Sequence, residues 1–451
     1  MNSNHGETIG ILWAQYGPYH FARAAALKRQ AGPGKVHAVE LAGQTSDYEW
    51  KRSASAVDLI TLCPGAVTEQ LSFLKVFQRA RRTFAELKIE VCFLPSYAPR
   101  QSLAALLAAK SLGIRTVMMN ESHAGTARAR GVGAWVKRRL VGLFDAALVG
   151  GQPQKRYFAS LGLPPEKIFT GYDAVDNDYF AARDAEVRSR KSEFRSKYDL
   201  PERYFLSLGR FVAKKNLTTL IRGYAIFLDS AIRNPQSAIP IPHLIMVGSG
   251  EEEPKLRSLC QELRLPIYDH FAIRNPQSAI PTDAPGVHFY GFRQIEENPV
   301  FYALADAFIL PSLWEEWGLV VNEAMASGLP VVVSETAGCA EDLLKTGMPA
   351  GVEGMPDWSP QLAGRVRQNG FVFDPKSVES LADVLLALDL APAFREIMGQ
   401  NSRIIIGDFS CDNFARNALL AARVAIGDNS SAPHSSSASE EQADLVCKLR
   451  S

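Results

Sequence analysis

The sequence predicts an α/β protein built from two Rossmann-like domains in tandem. Short apolar runs alternate with longer amphipathic stretches, which is typical of strands and helices in a mostly parallel sheet. A polar, highly charged connector at 178–203 interrupts this alternation, which then begins again. The length of 451 residues agrees with two or three domains of about 150 residues each.

In the first half, the apolar runs predict buried strands and the stretches after them predict helices. Strands are expected at Ile9–Ala14, Val91–Leu94, Thr116–Met119 and Ala146–Val149, and helices at Phe21–Arg29 and Leu103–Leu112. We assign these elements to an N-terminal domain over 1–185.

The second half repeats the pattern and predicts a C-terminal domain over 200–405. Its strands are expected at Phe205–Leu208, His243–Val247, Val287–Tyr290, Ala307–Leu310 and Val331–Ser334. Asp412 is expected to cap a last helix, Asn413–Ile426, within a segment 406–427 that packs back on the N-terminal domain.

Two further segments stand apart from this pattern. The Ser-rich tail at 428–451 has few apolar residues and is expected to be disordered. The decamer AIRNPQSAIP occurs at 231–240 and again at 272–281, in both cases where a surface loop is expected. The sequence leaves the role of the decamers open.

Composition and charge exclude several classes of protein. The chain has 49 Lys and Arg against 48 Asp and Glu, which argues against binding nucleic acid by bulk charge. No apolar run is long enough to predict a membrane-spanning helix. The N-terminus lacks the pattern of a secretory signal, so a cytoplasmic location is expected. The six cysteines form no CxxC pair, and neither a zinc ribbon nor a disulfide framework is predicted.

The segment Leu310–Ser334 carries the strongest chemical pattern. It leaves a predicted strand, passes two acids, and enters a helix just after Gly318. A glycine at a helix N-terminus lets an anion approach the backbone N–H groups. Glu315 and Glu323 are separated by seven residues, and their carboxylates suit the hydroxyl pairs of a sugar and a ribose. On spacing alone, two solvated surface acids remain the alternative.

This segment resembles the signature of the family-4 retaining glycosyltransferases. Their pattern is Glu, a Gly-aromatic-Gly run, a helix, a second Glu, and then Ala-Met-Ala-x-Gly-x-Pro-Val; here Glu316 replaces the first Gly. The resemblance implies the GT-B fold, in which two Rossmann-like domains face a central cleft. It implies that Glu315 contacts the donor sugar and Glu323 the ribose. It also implies that three backbone positions face the sugar and diphosphate: Trp317, Gly318 and Leu319.

A second motif, Ser207–Phe211 followed by Lys215, is similar to the family's Gly-Arg-Leu…Glu-Lys-Gly segment. The resemblance implies that Arg210 and Lys215 hold the two phosphates. Fixed cations suit a diphosphate leaving group, which gains charge as its bond to the sugar breaks. Lys214 stands where the family usually has Glu, and Asn216 where it usually has Gly.

Weaker resemblances add four candidates. Gly17 is what remains of the family's Gly-rich loop after the first strand, and Gly291 and Phe292 match a turn where backbone groups bind the base. A plain turn with a core aromatic is the alternative for that pair. His123 lies near a position where many members place a His against the donor sugar, although other registers put that position at 120 or 121.

The function predicted is a metal-independent, retaining glycosyltransferase without an organic cofactor. It would transfer a sugar from a nucleotide-diphosphate donor to a hydroxyl of a glycan, a lipid-linked or a small-molecule acceptor. The basic, partly amphipathic segment Arg128–Phe144 allows peripheral contact with the inner face of a membrane, with a solvated helix face as the alternative.

Other functions stay open at this point. Glu316 departs from the family pattern, which keeps a non-catalytic nucleotide-sugar-binding protein in view. A GT-B epimerase or phosphorylase would share the same motifs. A nicotinamide-dependent oxidoreductase would share the domains, but GxGxxG is absent after the first strand.

Overall fold

The computed structural model describes residues 7–45, 57–127, 131–233, 240–270, 284–349 and 359–427, and it contains two β-sheets. The predicted disordered tail at 428–451 and the second decamer at 272–281 lie outside the described residues. Of the first decamer, residues 231–233 end a helix, Pro240 is described, and the remainder lies outside.

The first sheet has seven parallel strands in the order β3-β2-β1-β4-β5-β6-β7. The strands are β1 Ile9–Trp13, β2 Val36–Gln44, β3 Leu59–Val67, β4 Val91–Leu94, β5 Arg115–Asn120, β6 Ala146–Val149 and β7 Ile168–Phe169. The continuous apolar runs of β1, β4 and β6 are wholly buried, as parallel strands covered on both faces must be.

Helices cover both faces of this sheet. They are α1 Pro18–Ala31, α2 Phe73–Glu86, α3 Arg100–Ser111, α4 Val132–Val141 and α5 Gln152–Ser160. Apolar side chains of α2 to α5 share one buried cluster, while α1 shares the cluster on the other face with the last helix of the chain.

The charged connector forms two helices, α6 Asn177–Ser189 and α7 Lys191–Tyr198. The second sheet follows with eight strands in the order β10-β11-β9-β8-β12-β13-β15-β14, of which only β14 runs antiparallel to its neighbour. Its strands are β8 Tyr204–Leu208, β9 His243–Val247, β10 Ile267–Asp269, β11 Val287–Gly291, β12 Ala307–Leu310, β13 Val331–Ser334, β14 Val366–Arg367 and β15 Gly370–Phe373.

The remaining helices cover this second sheet, except the last. They are α8 Leu217–Arg233, α9 Glu253–Glu262, α10 Asn298–Ala303, α11 Leu319–Ala326, α12 Ala340–Leu343, α13 Pro360–Ala363, α14 Val378–Leu390, α15 Pro392–Ile406 and α16 Cys411–Ile426. α16 returns to the first sheet and packs its alanines and Phe414 against α1 and the strands.

The cap of α16 differs from the prediction. Ser410 is the N-cap, because its backbone is extended and its Oγ accepts the N–H of Asn413 at 3.2 Å. The expectation that Asp412 caps this helix is therefore wrong. The Asp412 carboxylate instead accepts a hydrogen bond from Arg29 of α1 at 2.9 Å, so it ties the two helices together.

The carboxyl edges of the two sheets meet. In each sheet the strand order reverses beside the first strand of its half, between β1 and β4 and between β8 and β12. Ligands of open parallel sheets bind in the crevice outside the carboxyl ends of the strands at such points. The loops after these strands therefore form the candidate site.

Candidate functional site

Three glycine-containing loops at the carboxyl edge of the second sheet pack directly on one another. Gly209, Gly248 and Gly250 follow β8 and β9 with φ of 149°, 141° and 157°. A Cβ on Gly248 would lie 1.9 Å from the carbonyl oxygen of Gly209, and one on Gly250 would lie 2.4 Å from that of Phe211. The N–H of Gly248 donates to the carbonyl of Gly291 at 2.8 Å. A larger residue at these positions would push the loops apart, so the glycines allow the loops to pack closely on one another.

Arg210 and Lys215 lie in this loop region, where the sequence predicted phosphate-binding cations. Both line one pocket, together with Ser207, Leu208, Gly209, Phe211, Leu217, Leu310 and Pro311. Arg210 is exposed to solvent and Lys215 is partly buried. The structure therefore brings the two predicted cations together at the end of β8.

Asn216 adopts the left-handed backbone conformation at the position where the family pattern has glycine. Its φ is 54°, in the left-handed region that Asn tolerates better than most residues. Its amide Nδ2 donates to the carbonyls of Pro311 at 3.0 Å and Pro375 at 2.8 Å. The side chain thus secures the conformation that positions Lys215.

Glu315 lies directly beside these cations. One carboxylate oxygen accepts from Lys214 Nζ at 3.1 Å, and the other contacts Lys215 Nζ and accepts from Ser312 Oγ at 3.2 Å. Burial alone would raise the pKa of Glu315, but the ammonium groups of Lys215 and Lys214 hold it below its ordinary value. The carboxylate is therefore ionised at neutral pH and is an acceptor for hydroxyl groups.

Two of the three departures from the family pattern, Lys214 and Glu316, meet in space. Lys214 Nζ lies 2.8 Å from Glu316 Oε2, and the same ammonium also binds Glu315. Burial would lower the pKa of Lys214, but the carboxylates of Glu315 and Glu316 raise it overall. The Glu-to-Lys change at 214 and the Gly-to-Glu change at 316 are thus paired by charge. Sequence reasoning noted both positions separately and did not connect them.

Gly318 begins helix α11 as expected. Its φ is 107°, and a Cβ there would lie 2.9 Å from Leu310 Cδ2, so a larger residue would be strained. Leu319 is the first helical residue, and the N-cap, Gly318, has no side chain that could cap the N–H groups of the first turn. The N–H of Val321 donates to the Gly318 carbonyl at 2.9 Å. The fully buried Trp317 indole donates to Asn322 Oδ1 at 2.9 Å, which fixes the entry into the helix.

Glu323 is fully buried within α11 and faces the N-terminal half. Its Oε1 accepts from the hydroxyl of Tyr19 at 2.5 Å. Burial raises the pKa of Glu323 to about 7, although contacts with Tyr19, Tyr302 and Asn298 oppose the rise. Tyr19 occupies only Oε1, and the predicted ribose contact stays a prediction.

His123 reaches the site from the first sheet. Its Nε2 lies 2.9 Å from the carbonyl oxygen of Glu315, and its Nδ1 accepts from the N–H of Gly125 at 3.2 Å. Because a carbonyl can only accept, Nε2 carries the proton in this arrangement. His123 therefore touches the backbone of the residue predicted to contact the donor sugar.

The remaining candidates lie at or after the carboxyl ends of β1 and β11. Gly17 is the N-cap of α1, two residues before Tyr19, and its N–H donates to His20 Nδ1 at 3.0 Å. Gly291 ends β11 with φ of 71°, and the Phe292 ring is 45% exposed rather than part of the core. The binding roles of Gly17, Gly291 and Phe292 stay predictions.

Two acids next to the site, the fully buried Asp173 and the partly buried Glu121, interact with each other, and the sequence did not predict this pairing. Burial raises the pKa of both Glu121 and Asp173, each of which interacts with the other, while Arg23 opposes the rise. Arg23 Nη2 lies 3.8 Å from Asp173 Oδ1. Asp173 also packs closely against the chain just after β6, since a Cβ on Gly150 would lie 2.7 Å from Asp173 Oδ2. Nothing local in the sequence links Asp173 to Glu121, so this pair becomes visible only in the fold.

Across the residues with described positions, no group of three or more His, Cys, Asp or Glu side chains is placed to hold a metal ion. Among the same residues, no helix is both long and apolar enough to cross a bilayer.

Comparisons with known proteins agree with this architecture. Residues 202–389 match the family model described as glycosyl transferases group 1. The chain is 29% identical over 168 residues to the mannosylfructose-phosphate synthase of Agrobacterium fabrum, covering 36% of this chain and 31% of that protein. It is 25% identical over 312 residues to a sulfoquinovosyl transferase of Arabidopsis thaliana, covering 66% and 50%. The chain thus spans about a third to a half of the length of these relatives.

Among solved structures, Anabaena HepE in complex with UDP and glucose superposes with a TM-score of 0.61. The identity is 16%, and the match covers 91% of this chain and 98% of HepE. This likeness confirms the predicted fold class: the protein has the GT-B fold, with two Rossmann-like domains that face a central cleft.

Proposed function

We propose that this protein is a glycosyltransferase that moves a sugar from a nucleotide-diphosphate donor to an acceptor hydroxyl. The proposal includes retention of the anomeric configuration and independence from a metal ion or organic cofactor. One observation carries it most: the Glu315 carboxylate contacts Lys215, which lines a pocket with Arg210, and Gly318 begins helix α11 three residues after Glu315.

The positive groups would bind the donor diphosphate. Arg210 and Lys215 line the same pocket, and the N–H groups at the start of α11 favour an anion. The leaving diphosphate gains negative charge as its bond to the sugar breaks, so these fixed groups would stabilise the transition state more than the bound donor.

Glu315 would orient the donor sugar. Because Lys214 and Lys215 keep its pKa low, the carboxylate accepts hydrogen bonds from sugar hydroxyls without taking their protons. The Lys215 ammonium has three N–H donors, so it can bind the Glu315 carboxylate and a donor phosphate at the same time. His123, which donates to the Glu315 carbonyl, would hold this residue from the opposite domain.

The acceptor hydroxyl would attack the anomeric carbon from the side of the departing diphosphate. The new bond joins acceptor oxygen and anomeric carbon, the carbon–phosphate oxygen bond breaks, and the leaving phosphate oxygen takes the hydroxyl proton. This sequence uses no protein nucleophile. The UDP and glucose in the HepE complex support a nucleotide-sugar donor, and the transferase names of the curated relatives support transfer chemistry.

The other functions considered are less well supported. None of the reported relatives carries the name of a nicotinamide-dependent oxidoreductase. A non-catalytic nucleotide-sugar-binding protein was suggested by Glu316, but that residue forms an ion pair with Lys214 rather than obstructing Gly318.

Incubation of the chain with a panel of radiolabelled nucleotide sugars tests the proposal. We expect sugar transfer to an added glycan, lipid-linked or small acceptor, with the product anomer matching the donor by NMR. Glu315→Gln should lose turnover, while Glu341→Gln, at an exposed acid paired with Arg156, should keep it. Equal turnover of both variants, product inversion, or loss of activity in EDTA restored by Mg²⁺ would each contradict the corresponding part of the proposal.

A further inference from the structure

Three helices that pack on the same buried cluster of the first domain, α2, α3 and α4, expose an unusual share of apolar surface. Thirteen large apolar side chains are exposed among the described residues, and seven of them lie on α2, α3, α4 or the turn after α4. We call this surface the α2–α4 face. Its apolar members are Phe73, Leu74, Leu107, Val132, Trp135, Val136 and Leu143.

The same face is strongly basic. The three helices contain nine Lys and Arg residues and a single acid, Glu86, which pairs with Arg82. The whole chain is nearly balanced, at 49 basic and 48 acidic residues, so positive charge is concentrated here. The exposed basic residues are Lys75, Arg79, Arg81, Arg82, Arg100, Arg138 and Arg139.

The packing of α4 explains why its apolar residues point outward. Lys137 Nζ donates to the hydroxyl of Tyr157 at 2.6 Å, and Val141 is buried in the core below. This side of the helix therefore faces the domain. Val132 is 79% exposed and Trp135 59% exposed on the other side, and the Arg139 guanidinium lies 5.2 Å from the centre of the Trp135 ring.

We propose that the α2–α4 face docks this protein on an anionic lipid bilayer. An amphipathic surface with Trp and aliphatic side chains among Lys and Arg suits the boundary between acyl chains and anionic headgroups. A nucleic acid would use the basic residues but leave the exposed Val and Leu side chains unused. A second copy of this chain would bring two basic faces together, which like-charge repulsion opposes.

The docked orientation follows from the topology. In a parallel sheet each connecting helix begins near the carboxyl edge, where the candidate site lies. Phe73 and Leu74 are the first residues of α2, and Val132, Trp135 and Val136 lie in the first half of α4. Docking through these residues would hold the mouth of the cleft close to the headgroups. The proposal concerns binding and stands whether or not the chain transfers sugars.

Co-sedimentation of the full chain with vesicles tests it. The vesicles are equal parts phosphatidylglycerol and phosphatidylcholine, with pure phosphatidylcholine vesicles and a single-stranded RNA homopolymer as comparisons. We expect binding to the anionic vesicles that weakens as salt is raised, and little binding to the neutral vesicles or the RNA. Each basic residue near the surface contributes about fivefold to partition, so Arg138→Glu with Arg139→Glu should weaken binding roughly 30-fold or more.

Matched variants distinguish vesicle binding through the α2–α4 face from non-specific binding through other apolar or charged positions. Val132→Ser with Trp135→Ser should also lower binding, whereas Leu390→Ser with Ile404→Ser, at equally exposed apolar positions elsewhere, should not. Arg222→Glu with Arg423→Glu controls for net charge. All replaced side chains are exposed, so the unfolding midpoints should stay close to that of the unaltered chain. Equal loss in face and control variants, no binding to anionic vesicles, or preferential binding to RNA would overturn the proposal.

Discussion

Reversal of the ion pair between Lys214 and Glu316 tests whether these two departures from the family pattern depend on each other. Lys214→Glu alone places a third carboxylate beside Glu315 and Glu316. Glu316→Lys alone places a third ammonium beside Lys214 and Lys215. The double variant exchanges the charges and restores an attractive pair at the same positions.

The structure sets the scale of the effect. Lys214 Nζ lies 3.1 Å from Glu315 Oε1 and 2.8 Å from Glu316 Oε2, and the side chains of Lys214, Glu315 and Glu316 are 22%, 9% and 38% exposed. At an effective dielectric of about 20, unit charges at this distance interact by about 5 kcal/mol before desolvation and screening reduce the net value. We expect Lys214→Glu to lower the free energy of unfolding by about 2 kcal/mol and Glu316→Lys by about 1 kcal/mol. In the double variant, the restored attraction should make the free energy of unfolding about 2 kcal/mol higher than the sum of the two single effects predicts.

Urea unfolding of the unaltered chain, the two single variants and the double variant measures this coupling. Initial rates with the nucleotide-sugar donor measure the effect on turnover. Turnover should fall in Lys214→Glu, because Glu315 loses a cation that keeps it ionised and in place, and should partly recover in the double variant. The exposed pair of Arg156 and Glu341 supplies a control cycle, since both side chains are more than half exposed, at 61% and 51%, and should couple by only about 0.5 kcal/mol. Additive effects at 214 and 316, within about 0.3 kcal/mol, would refute the pairing.

Two further predictions concern the donor site. Arg210→Ala and Lys215→Ala should each weaken transition-state stabilisation by about 3 kcal/mol, seen as a fall in kcat/KM of roughly a hundredfold; near-normal turnover in both would exclude them as the phosphate-binding cations. The Glu323 carboxyl has its pKa raised from 4.5 to about 7 in the fold, so the folded state binds the proton more tightly and stability should fall as pH rises from about 4.5 to 7. The free energy of unfolding should fall by roughly 3 kcal/mol over this pH range. Glu323→Gln keeps an acceptor for Tyr19 and should remove this pH dependence. At pH 8 the variant should unfold at a higher urea concentration than the unaltered chain. An unchanged slope in Glu323→Gln would show that another group is responsible.

Much of the fold could be predicted because buried parallel strands leave a simple signal. The runs Val91–Leu94, Ala146–Val149 and Val331–Ser334 are short and almost wholly apolar, and each is a strand with those bounds. β2 and β3 were not predicted. Their burial is mixed, with polar and exposed positions within each strand, so no continuous apolar run marks them. The cap of α16 was misplaced by two residues, because Ser410 and Asp412 both suit a cap and only backbone geometry decides between them.

The site was predictable where the signal is local in sequence and not where it depends on tertiary contacts. Glu315, Gly318 and Leu319 occur within one short segment, and their arrangement follows from a strand, a turn and a helix. The contact between Lys214 and Glu316 joins positions about a hundred residues apart. The hydrogen bond from Tyr19 to Glu323 joins the two domains across 304 residues. No pattern within a single segment encodes such pairs, and they become visible only when the loops are placed in space.

Calorimetric titration of Glu315→Gln and Glu323→Gln with a nucleoside diphosphate and with the intact nucleotide sugar tests the central claim most directly. If the diphosphate lies over the start of α11 with the sugar towards Glu315, Glu315→Gln should bind the diphosphate nearly as well as the unaltered chain but bind and turn over the intact donor poorly. At pH 8, where Glu323 is mostly ionised because its pKa is about 7, Glu323→Gln should weaken the binding of both ligands, since a neutral amide makes hydrogen bonds about half as strong as a carboxylate does. Loss of diphosphate binding in Glu315→Gln with normal binding in Glu323→Gln would contradict this placement of the donor.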